Sequence, residues 1–294
     1  MSTDRLPEHV HIRYLAWSHL DDAVWAADQC GSVWSVSLQG ARRVARQHSF
    51  PAGLATDEAR SRWAIVLVSG EWLVGTEEGT TATGSVRTGP ACGVALVRDW
   101  LWCLSQDGFY QVVELASALV VEQGFVPPGT VCAATGDRIS FRHATLAGLR
   151  VVERTAEPGA ADEGWEAGLR CPEHLRSSLL LSVAGAHTLG LSGNAVTVWA
   201  DAVDGAPAVV SRLWHKATCA TIGSSGQLTW VGAQSGSVAH LDSGSNAWVW
   251  RGLDFSRASL VAIAAQPFGR LVAATNGSRL RFLHADGSLD HPLA

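Results

Sequence analysis

The hydrophobic and polar positions of this chain follow a pattern that returns seven times. In the first copy an apolar segment, residues 23–27, leads into a short polar turn, and the alternating segment 33–38 follows. A glycine closes the polar turn of each copy: Gly31, Gly70, Gly108, Gly148, Gly193, Gly236 and Gly277. Successive glycines are 38 to 45 residues apart, with a mean spacing of 41. A period of about 40–45 residues is typical of a four-stranded propeller blade.

Further strands are predicted on both sides of each turn. An apolar strand precedes the pair in most copies, at residues 14–17, 93–97, 131–134, 179–183, 217–222 and 260–264. More polar segments follow the pair, at residues 42–48, 83–87, 119–123, 209–213 and 248–251. Some middle strands, such as 64–68, are apolar without alternation, as expected for strands covered on both faces. The pattern predicts an all-β protein, a seven-bladed β-propeller of four-stranded antiparallel blades.

The same pattern predicts the domain organisation. Residues 14–294 form one propeller domain, and residues 1–13 form an N-terminal segment that is a candidate closure strand for the last blade. Residues 289–293 are the alternative closure strand. In the fourth unit we expect strands at 137–142 and 149–154, joined by a turn longer than the others, residues 143–148. Residues 157–178 interrupt the repeat and are predicted to be an insertion.

The turn glycines have a predicted structural role. A tight turn often requires a backbone conformation with φ > 0, which glycine adopts without steric cost.

Composition and charge narrow the choice of partner. The chain is 47% apolar and 17% charged, and its net charge is −5. Lys216 is the only lysine, so no lysine-rich tail for nucleic acid or anionic lipid is present. The polar N-terminus and the absence of a long apolar segment argue against secretion and membrane insertion. We therefore expect a cytoplasmic protein with no nucleic-acid or membrane partner.

Three short segments carry a resemblance to a known family. Residues 194–201, Asn-Ala-Val-Thr-Val-Trp-Ala-Asp, resemble the end of a WD-repeat blade, and Asp107-Gly108 and 276–278 resemble the turn between its middle strands. The chain thus resembles a divergent WD-repeat-like propeller, of bacterial origin, which implies a role in protein interactions. No unit opens with Gly-His, so the hydrogen-bond network of regular WD blades is not transferred. The first unit, with Trp25 and Trp34, also resembles tectonin-type lectin propellers.

Known catalytic motifs are absent from the sequence. It contains no nucleophile elbow, no P-loop and no H-E-x-x-H. The six cysteines form no C-x-x-C pair and are expected to be small buried hydrophobes in a reduced protein. We predict no catalytic residue, no metal ligand and no cofactor.

The function predicted from these features is a non-catalytic protein–protein interaction scaffold or a subunit of a multiprotein complex. A carbohydrate-binding, tectonin-like propeller and a propeller hydrolase with a site at the channel mouth are the alternatives. Repeated surface tryptophans would favour the former, and polar residues clustered at one channel mouth the latter. A small-molecule or glycan ligand is compatible with the sequence, but no motif supports one.

Two groups of residues are candidate partner-binding sites. The insertion contains an aromatic residue between carboxylates and a nearby arginine: Asp162, Glu163, Trp165, Glu166 and Arg170. The first outer strand contains Arg42, Arg43 and Arg46. Simpler interpretations are a connecting loop for the former and a solvated, charged sheet edge for the latter.

The chain has 13 tryptophans. Most lie within predicted strands and are expected to fill the wedges between blades: Trp17, Trp25, Trp34, Trp63, Trp72, Trp102 and Trp199. Others lie nearer to loops or outer strands, where exposure would favour a binding interface: Trp100, Trp165, Trp214, Trp248 and Trp250.

Overall fold

The structure is a computed structural model. It describes residues 6–7, 9–18, 23–57, 60–87, 91–145, 148–159, 180–184, 187–192, 194–199, 209–222, 229–242, 245, 247–253, 258–266, 271–277 and 279–284.

The strands follow one another blade by blade. Blades 1 to 3 contain β1 Ile12–Trp17, β2 Ala23–Asp28, β3 Val33–Ser37, β4 Gly40–Ala45; β5 Pro51–Asp57, β6 Arg62–Leu67, β7 Glu71–Thr76, β8 Gly79–Ser85; and β9 Ala91–Val97, β10 Trp100–Ser105, β11 Phe109–Glu114, β12 Leu119–Phe125. Blades 4 to 7 contain β13 Val131–Thr135, β14 Arg138–Thr145, β15 Gly148–Thr155; β16 Leu180–Ala184, β17 His187–Ser192, β18 Ala195–Trp199, β19 Val209–Arg212; β20 Ala217–Ile222, β21 Thr229–Ala233, β22 Ser237–Asp242, β23 Ala247–Gly252; and β24 Ala262–Ala265, β25 Leu271–Thr275, β26 Leu280–His284.

Each blade is an antiparallel sheet whose strands pair in chain order. Within the described residues five sheets have four strands, and blades 4 and 7 have three. The first strands of neighbouring blades contact one another around the ring, so the first strand of each blade is the innermost. The predicted seven-bladed β-propeller is confirmed.

Apolar side chains fill a wedge between every pair of neighbouring blades. One buried cluster joins blades 1 and 2, another blades 2 and 3, and so on to the cluster that joins blades 7 and 1. Since both faces of a blade are covered, its middle strands are apolar without alternation. In β2, for example, all six residues are buried.

Tryptophan supplies much of this filling, as predicted. The seven tryptophans assigned to strands are at most 6% exposed. Trp25 meets Trp63 across the first wedge, with ring centroids 6.4 Å apart. Large aromatic rings suit a gap that widens outward from the ring axis, because each buries much apolar area on few rotatable bonds.

The ring closes by packing blade 1 against blade 7. Trp17 contacts Phe282 edge-on at 6.0 Å, and the backbone N–H of Ile12 donates to the carbonyl of Gly277 at 2.7 Å. Residues 12 and 13 belong to β1, the innermost strand of blade 1, in which Ile12 is paired with Asp28. The alternative closure strand, residues 289–293, lies outside the described residues.

The expected long turn in blade 4 is wrong. β14 continues to Thr145 and pairs there with Gly148, so the hairpin is as tight as those of the other blades. His143, which the pattern placed in the turn, is a strand residue that is 1% exposed and lies 3.3 Å from the hydroxyl of Thr130. A histidine that the local pattern assigns to a turn is therefore buried by its neighbours in the fold.

The seam between blades 4 and 5 contains a buried arginine. Among the described residues, the apolar cluster of this seam contains Ala144, Leu149 and Trp199. Beside it, the buried guanidinium of Arg142 donates to the carbonyl of His187 and to the hydroxyl of Thr188, both at 2.6 Å. Burial lowers the pKa of Arg142 to about 10, so this side chain remains charged at neutral pH.

The turn glycines were expected to take positive φ. Such angles occur at Gly31, Gly70, Gly108, Gly236 and Gly277, with φ between 76° and 98°. Gly148 is the first residue of β15, and Gly193 lies outside the described residues. A Cβ atom at Gly108 would lie 1.9 Å from the carbonyl oxygen of Val126. At Gly277 the nearest atom to an added Cβ, the carbonyl oxygen of Ile12, would be 3.6 Å away.

We therefore expect Gly108→Val to destabilise the protein more than Gly277→Val. Positive φ at a non-glycine residue costs about 1–3 kcal/mol, and only the Gly108 variant must also displace backbone. A melting curve measures the difference, since about 1 kcal/mol shifts the melting temperature by roughly 2–4 °C in a protein of this size. Gly252→Ala is the matched control, because a Cβ there meets nothing within 4 Å. Equal melting temperatures for all three variants would contradict the turn assignment.

A partly buried ion pair joins blades 3 and 4. Arg154 Nη1 donates to Glu122 Oε1 at 2.5 Å, and its guanidinium lies 5.0 Å from the Trp102 ring. The Arg154 side chain is 4% exposed and the Glu122 side chain 20%. We expect Arg154→Met to cost about 1–3 kcal/mol, because the Glu122 carboxylate loses its charged partner but keeps some contact with water.

The double variant Arg154→Met/Glu122→Leu is the control for that prediction. It removes both charges, so urea unfolding should recover most of the lost stability. If the double variant is as unstable as the single one, packing of the arginine rather than its charge holds the blades together.

Candidate interaction face

The ring has two faces, which we name by the direction of the innermost strands. On the upper face these strands begin; this face also contains the turn between the second and third strands and the link to the next blade. The lower face contains the two remaining turns of each blade. Short turns on a rigid sheet scaffold are where binding residues concentrate.

Ion pairs between blades cover part of the lower face. Arg60 reaches from blade 2 to Asp99 of blade 3 at 2.9 Å, and Arg98 reaches from blade 3 to Asp137 of blade 4 at 3.3 Å. Arg62 bonds Asp57 within blade 2 at 2.6 Å. These charges serve contacts within the molecule.

The upper face carries exposed aromatic side chains. Phe50 is 64% exposed, Phe125 66% and Trp214 87%. Phe50 precedes β5, Phe125 ends β12 and Trp214 follows β19, so each lies where one blade passes to the next. Burial of three such rings by a partner would remove a large apolar area from water.

Neighbouring groups hold these aromatic residues in place. The carbonyl of Phe50 accepts the N–H of Val68 at 2.8 Å, and Val68 is itself 54% exposed. Phe125 packs on Phe109 at 5.0 Å between ring centroids, and the guanidinium of Arg87 lies 5.6 Å from the Phe109 ring. The aromatic surface is therefore partly organised before any partner binds.

A cavity of about 330 Å³ opens beside Phe50. Its walls are Arg13, Tyr14, Phe50, Pro51 and Val261, from the beginnings of the innermost strands of blades 1, 2 and 7 or the links before them. The hydroxyl of Tyr14 donates to the carbonyl of Ala52 at 3.1 Å. Partial burial raises the pKa of Tyr14, and nearby Arg13 opposes that rise, so the phenol stays neutral at physiological pH.

Exposed charges are distributed unevenly between the faces. Among the described residues, the exposed cations at the upper turns and adjoining strand ends are Arg13, Arg46, Arg87, Arg150, Arg212, Lys216, Arg251 and Arg279. The exposed carboxylates there are Glu71 and Asp107. At the lower turns and strand ends the exposed carboxylates include Glu78, Asp99, Asp137, Glu153 and Glu157, and the exposed cations Arg42, Arg60 and Arg98. Cations therefore predominate among the described exposed charges of the upper face, although the whole chain is acidic.

The predicted basic strand residues have separate surroundings. Arg42 donates to the carbonyl of Glu77 at 2.6 Å and pairs with its carboxylate. Arg43 lies over the Trp34 ring at 5.6 Å. Only Arg46, just beyond the upper end of β4, lies on the aromatic face.

The predicted acidic site, residues 162–170, lies outside the described residues. The features that sequence reasoning missed are Phe50, Phe125, Arg13 and the cavity. Their one sequence signal is position: Arg13 directly precedes a predicted innermost strand, and Phe50 and Phe125 each follow a predicted outer strand by two residues. These positions share a face only once the blades are arranged in a ring.

Of the cysteines expected to be buried, Cys103, Cys132 and Cys219 are buried, whereas Cys30 is exposed in the turn after β2. Cys132 and Cys219 are less than 9% exposed and belong to apolar clusters, and burial raises the pKa of the Cys219 thiol to about 12. Within the described residues no group of three or more His, Cys, Asp and Glu side chains is placed to hold a metal ion. In the same part of the chain no helix has the length and apolar character needed to cross a membrane.

Known proteins are similar to this chain in fold but not in sequence. No protein-family profile matches the chain, and no curated protein matches it. Among solved structures, the WD40 repeats of RRP9 are 13% identical with a TM-score of 0.68, covering 92% of this chain and 88% of that one. The β-propeller domain of Cps50 (Swd1) from Myceliophteria thermophila is 12% identical with a TM-score of 0.71, covering 92% and 95%.

A third similar structure is Kuenenia stuttgartiensis hydrazine synthase, 12% identical with a TM-score of 0.70, covering 95% of this chain and 96% of that one. At such identities the likeness concerns the propeller fold alone. The fold therefore includes an enzyme as well as WD40-repeat structures, and the function of this chain has to be argued from its own surface.

The exposed aromatic residues should be dispensable for folding. We expect the triple variant Phe50→Ala/Phe125→Ala/Trp214→Ala to melt within a few degrees of the wild type, because only the Phe109–Phe125 contact, worth about 0.5–1.5 kcal/mol, is lost. Binding of an apolar fluorescent dye should fall in the same variant. A large loss of stability would show that these rings support the fold rather than a binding surface.

Proposed function

We propose that this protein is a non-catalytic interaction module of the cytoplasm, a scaffold or subunit that holds a partner protein on its upper face. The observation that supports this most is the presence of Phe50, Phe125 and Trp214 on one face, each with at least 64% of its surface exposed.

Exposure of large aromatic rings to water is unfavourable, so the presence of three on one face suggests that a partner covers them. The three rings lie at the boundaries of blades 1 and 2, 3 and 4, and 5 and 6, so a partner that covers them spans the upper face. Tryptophan and other rigid aromatic residues contribute a large share of binding energy because they lose little entropy on burial. The rigid ring beneath them reduces the entropic cost of binding further.

Carbohydrate binding receives less support. A tectonin-like lectin would expose tryptophans at matching positions of several blades. The tryptophans that do recur at one position, six residues before the turn glycine, are Trp25, Trp102 and Trp230, and each is 1% exposed. They fill wedges and are closed to a sugar.

The hydrolase alternative lacks a supporting constellation in the described residues. The cavity at the channel mouth has one cation and one neutral phenol among apolar walls. Such a lining suits binding of an apolar group better than general acid–base catalysis, which needs groups with a pKa near the working pH.

The insertion provides a second contact in this proposal. Trp165, with Asp162, Glu163 and Glu166 around it and Arg170 nearby, would anchor a basic patch of a partner. This part remains a prediction from sequence.

The test is affinity capture from the native host with matched variants. We expect the triple variant at Phe50, Phe125 and Trp214 to lose the proteins that the wild type retains. The control is Leu38→Ala/Leu119→Ala, which removes apolar side chains that are 38% and 64% exposed at the lower turns. It should retain the same proteins as the wild type.

Two results would count against the proposal. Retention of every captured protein by the upper-face variant would show that these aromatic residues bind nothing. Loss through the lower-face control alone would place the interface on the other side of the ring.

A further inference from the structure

We infer that the segment bound on the upper face is an acidic peptide of a partner protein, with an apolar side chain seated in the cavity beside Arg13. This inference rests on the proposed function and names the chemistry of the partner.

The first argument is charge complementarity. The chain as a whole carries a net charge of −5, yet the exposed charges described on its upper face are mostly cations. Opposite potentials across an interface raise the association rate and reject partners of the wrong sign. A basic segment would meet like charge on this face, whereas an acidic segment would be attracted to it.

The second argument is the composition of the cavity. Phe50, Pro51 and Val261 provide apolar walls, and Arg13 and Tyr14 provide the polar part. Its volume of about 330 Å³ is at the small end of the range for ligand pockets. That space suits an aliphatic or aromatic side chain, while the Arg13 guanidinium can bond a carboxylate next to it in sequence.

A third argument distinguishes the arginines of the face. Arg87 lies over Phe109 and contributes to the lowered pKa of Asp107, a shift caused mainly by the hydrogen bond from Ser105. Arg87 therefore already has a neighbouring carboxylate. Arg13, which lines the cavity, and Arg46, which follows the outermost strand of blade 1, are both exposed and are the principal contacts for carboxylates in the ligand.

Nucleic acid is the competing polyanion, and the structure favours it less. Nucleic-acid-binding domains usually present a continuous basic stripe and a high isoelectric point. Here the isoelectric point is about 6.1, and the cations are spread over six blades. One arginine in the wall of an apolar cavity, with the other cations widely separated, fits side-chain carboxylates better than a regular phosphate backbone.

The test measures direct binding of defined probes by fluorescence anisotropy. The probes are a labelled short peptide of alternating Glu and Leu, the same peptide with Lys for Glu, and a U-rich RNA of the same length. We expect the Glu-Leu peptide to bind and the Lys-Leu peptide not to bind. Raising the salt from about 0.1 M to about 1 M shortens the screening length from about 10 Å to about 3 Å, and should weaken the complex.

Matched variants locate the contact. Arg13→Gln/Arg46→Gln should weaken binding of the Glu-Leu peptide by roughly three- to tenfold, as expected for loss of two exposed ion pairs. Arg60→Gln/Arg98→Gln removes the same charge from the lower face and should leave the affinity unchanged. Phe50→Ala should also weaken the Glu-Leu peptide, because the apolar side chain loses a wall of its cavity.

Each other outcome overturns the inference. Equal binding of the two peptides, or binding of neither, excludes recognition of acidic segments. Tighter binding of the RNA than of the Glu-Leu peptide assigns the face to nucleic acid. If these results occur while the aromatic triple variant still loses its captured proteins, the proposed function stands and only the acidic assignment fails.

Discussion

Each blade of this protein depends on its neighbours for the burial of its faces. A single four-stranded sheet with two apolar faces is not stable alone in water. In the ring, the neighbouring blades cover both faces of every blade. The wedge clusters are therefore the constraint from which the rest follows. Trp25 and Trp63 in the first wedge, and Trp17 with Phe282 at the closure, show the same solution at two seams.

The seam between blades 4 and 5 shows that polar contacts also join neighbouring blades. Arg142 of blade 4 donates hydrogen bonds to His187 and Thr188 of blade 5. A buried guanidinium needs good geometry to offset its desolvation, and two acceptors at 2.6 Å supply it. The sequence segment that interrupts the repeat connects these same two blades in the chain.

Much of the fold was predictable because the order of strands in a blade and the length of the repeat follow from the local spacing of apolar segments and turn glycines. The pattern nevertheless gave no innermost strand for blade 2, where Pro51 and Gly53 interrupt the apolar sequence. Gly53 is there because a Cβ would come within 2.5 Å of Val94 in blade 3, a contact between blades that no local pattern reveals. His143 was misplaced for the same reason, since only its neighbours show that it is buried.

The sequence by itself determined the number of blades, the alternation of strands and turns, and the tryptophans that fill the wedges. These follow from spacing along the chain, because strand alternation and turn chemistry act over a few residues. Only the tertiary structure decided which residues share a surface. Arg13, Phe50, Phe125 and Trp214 are far apart in sequence, and they lie on one face because every blade enters the ring in the same direction.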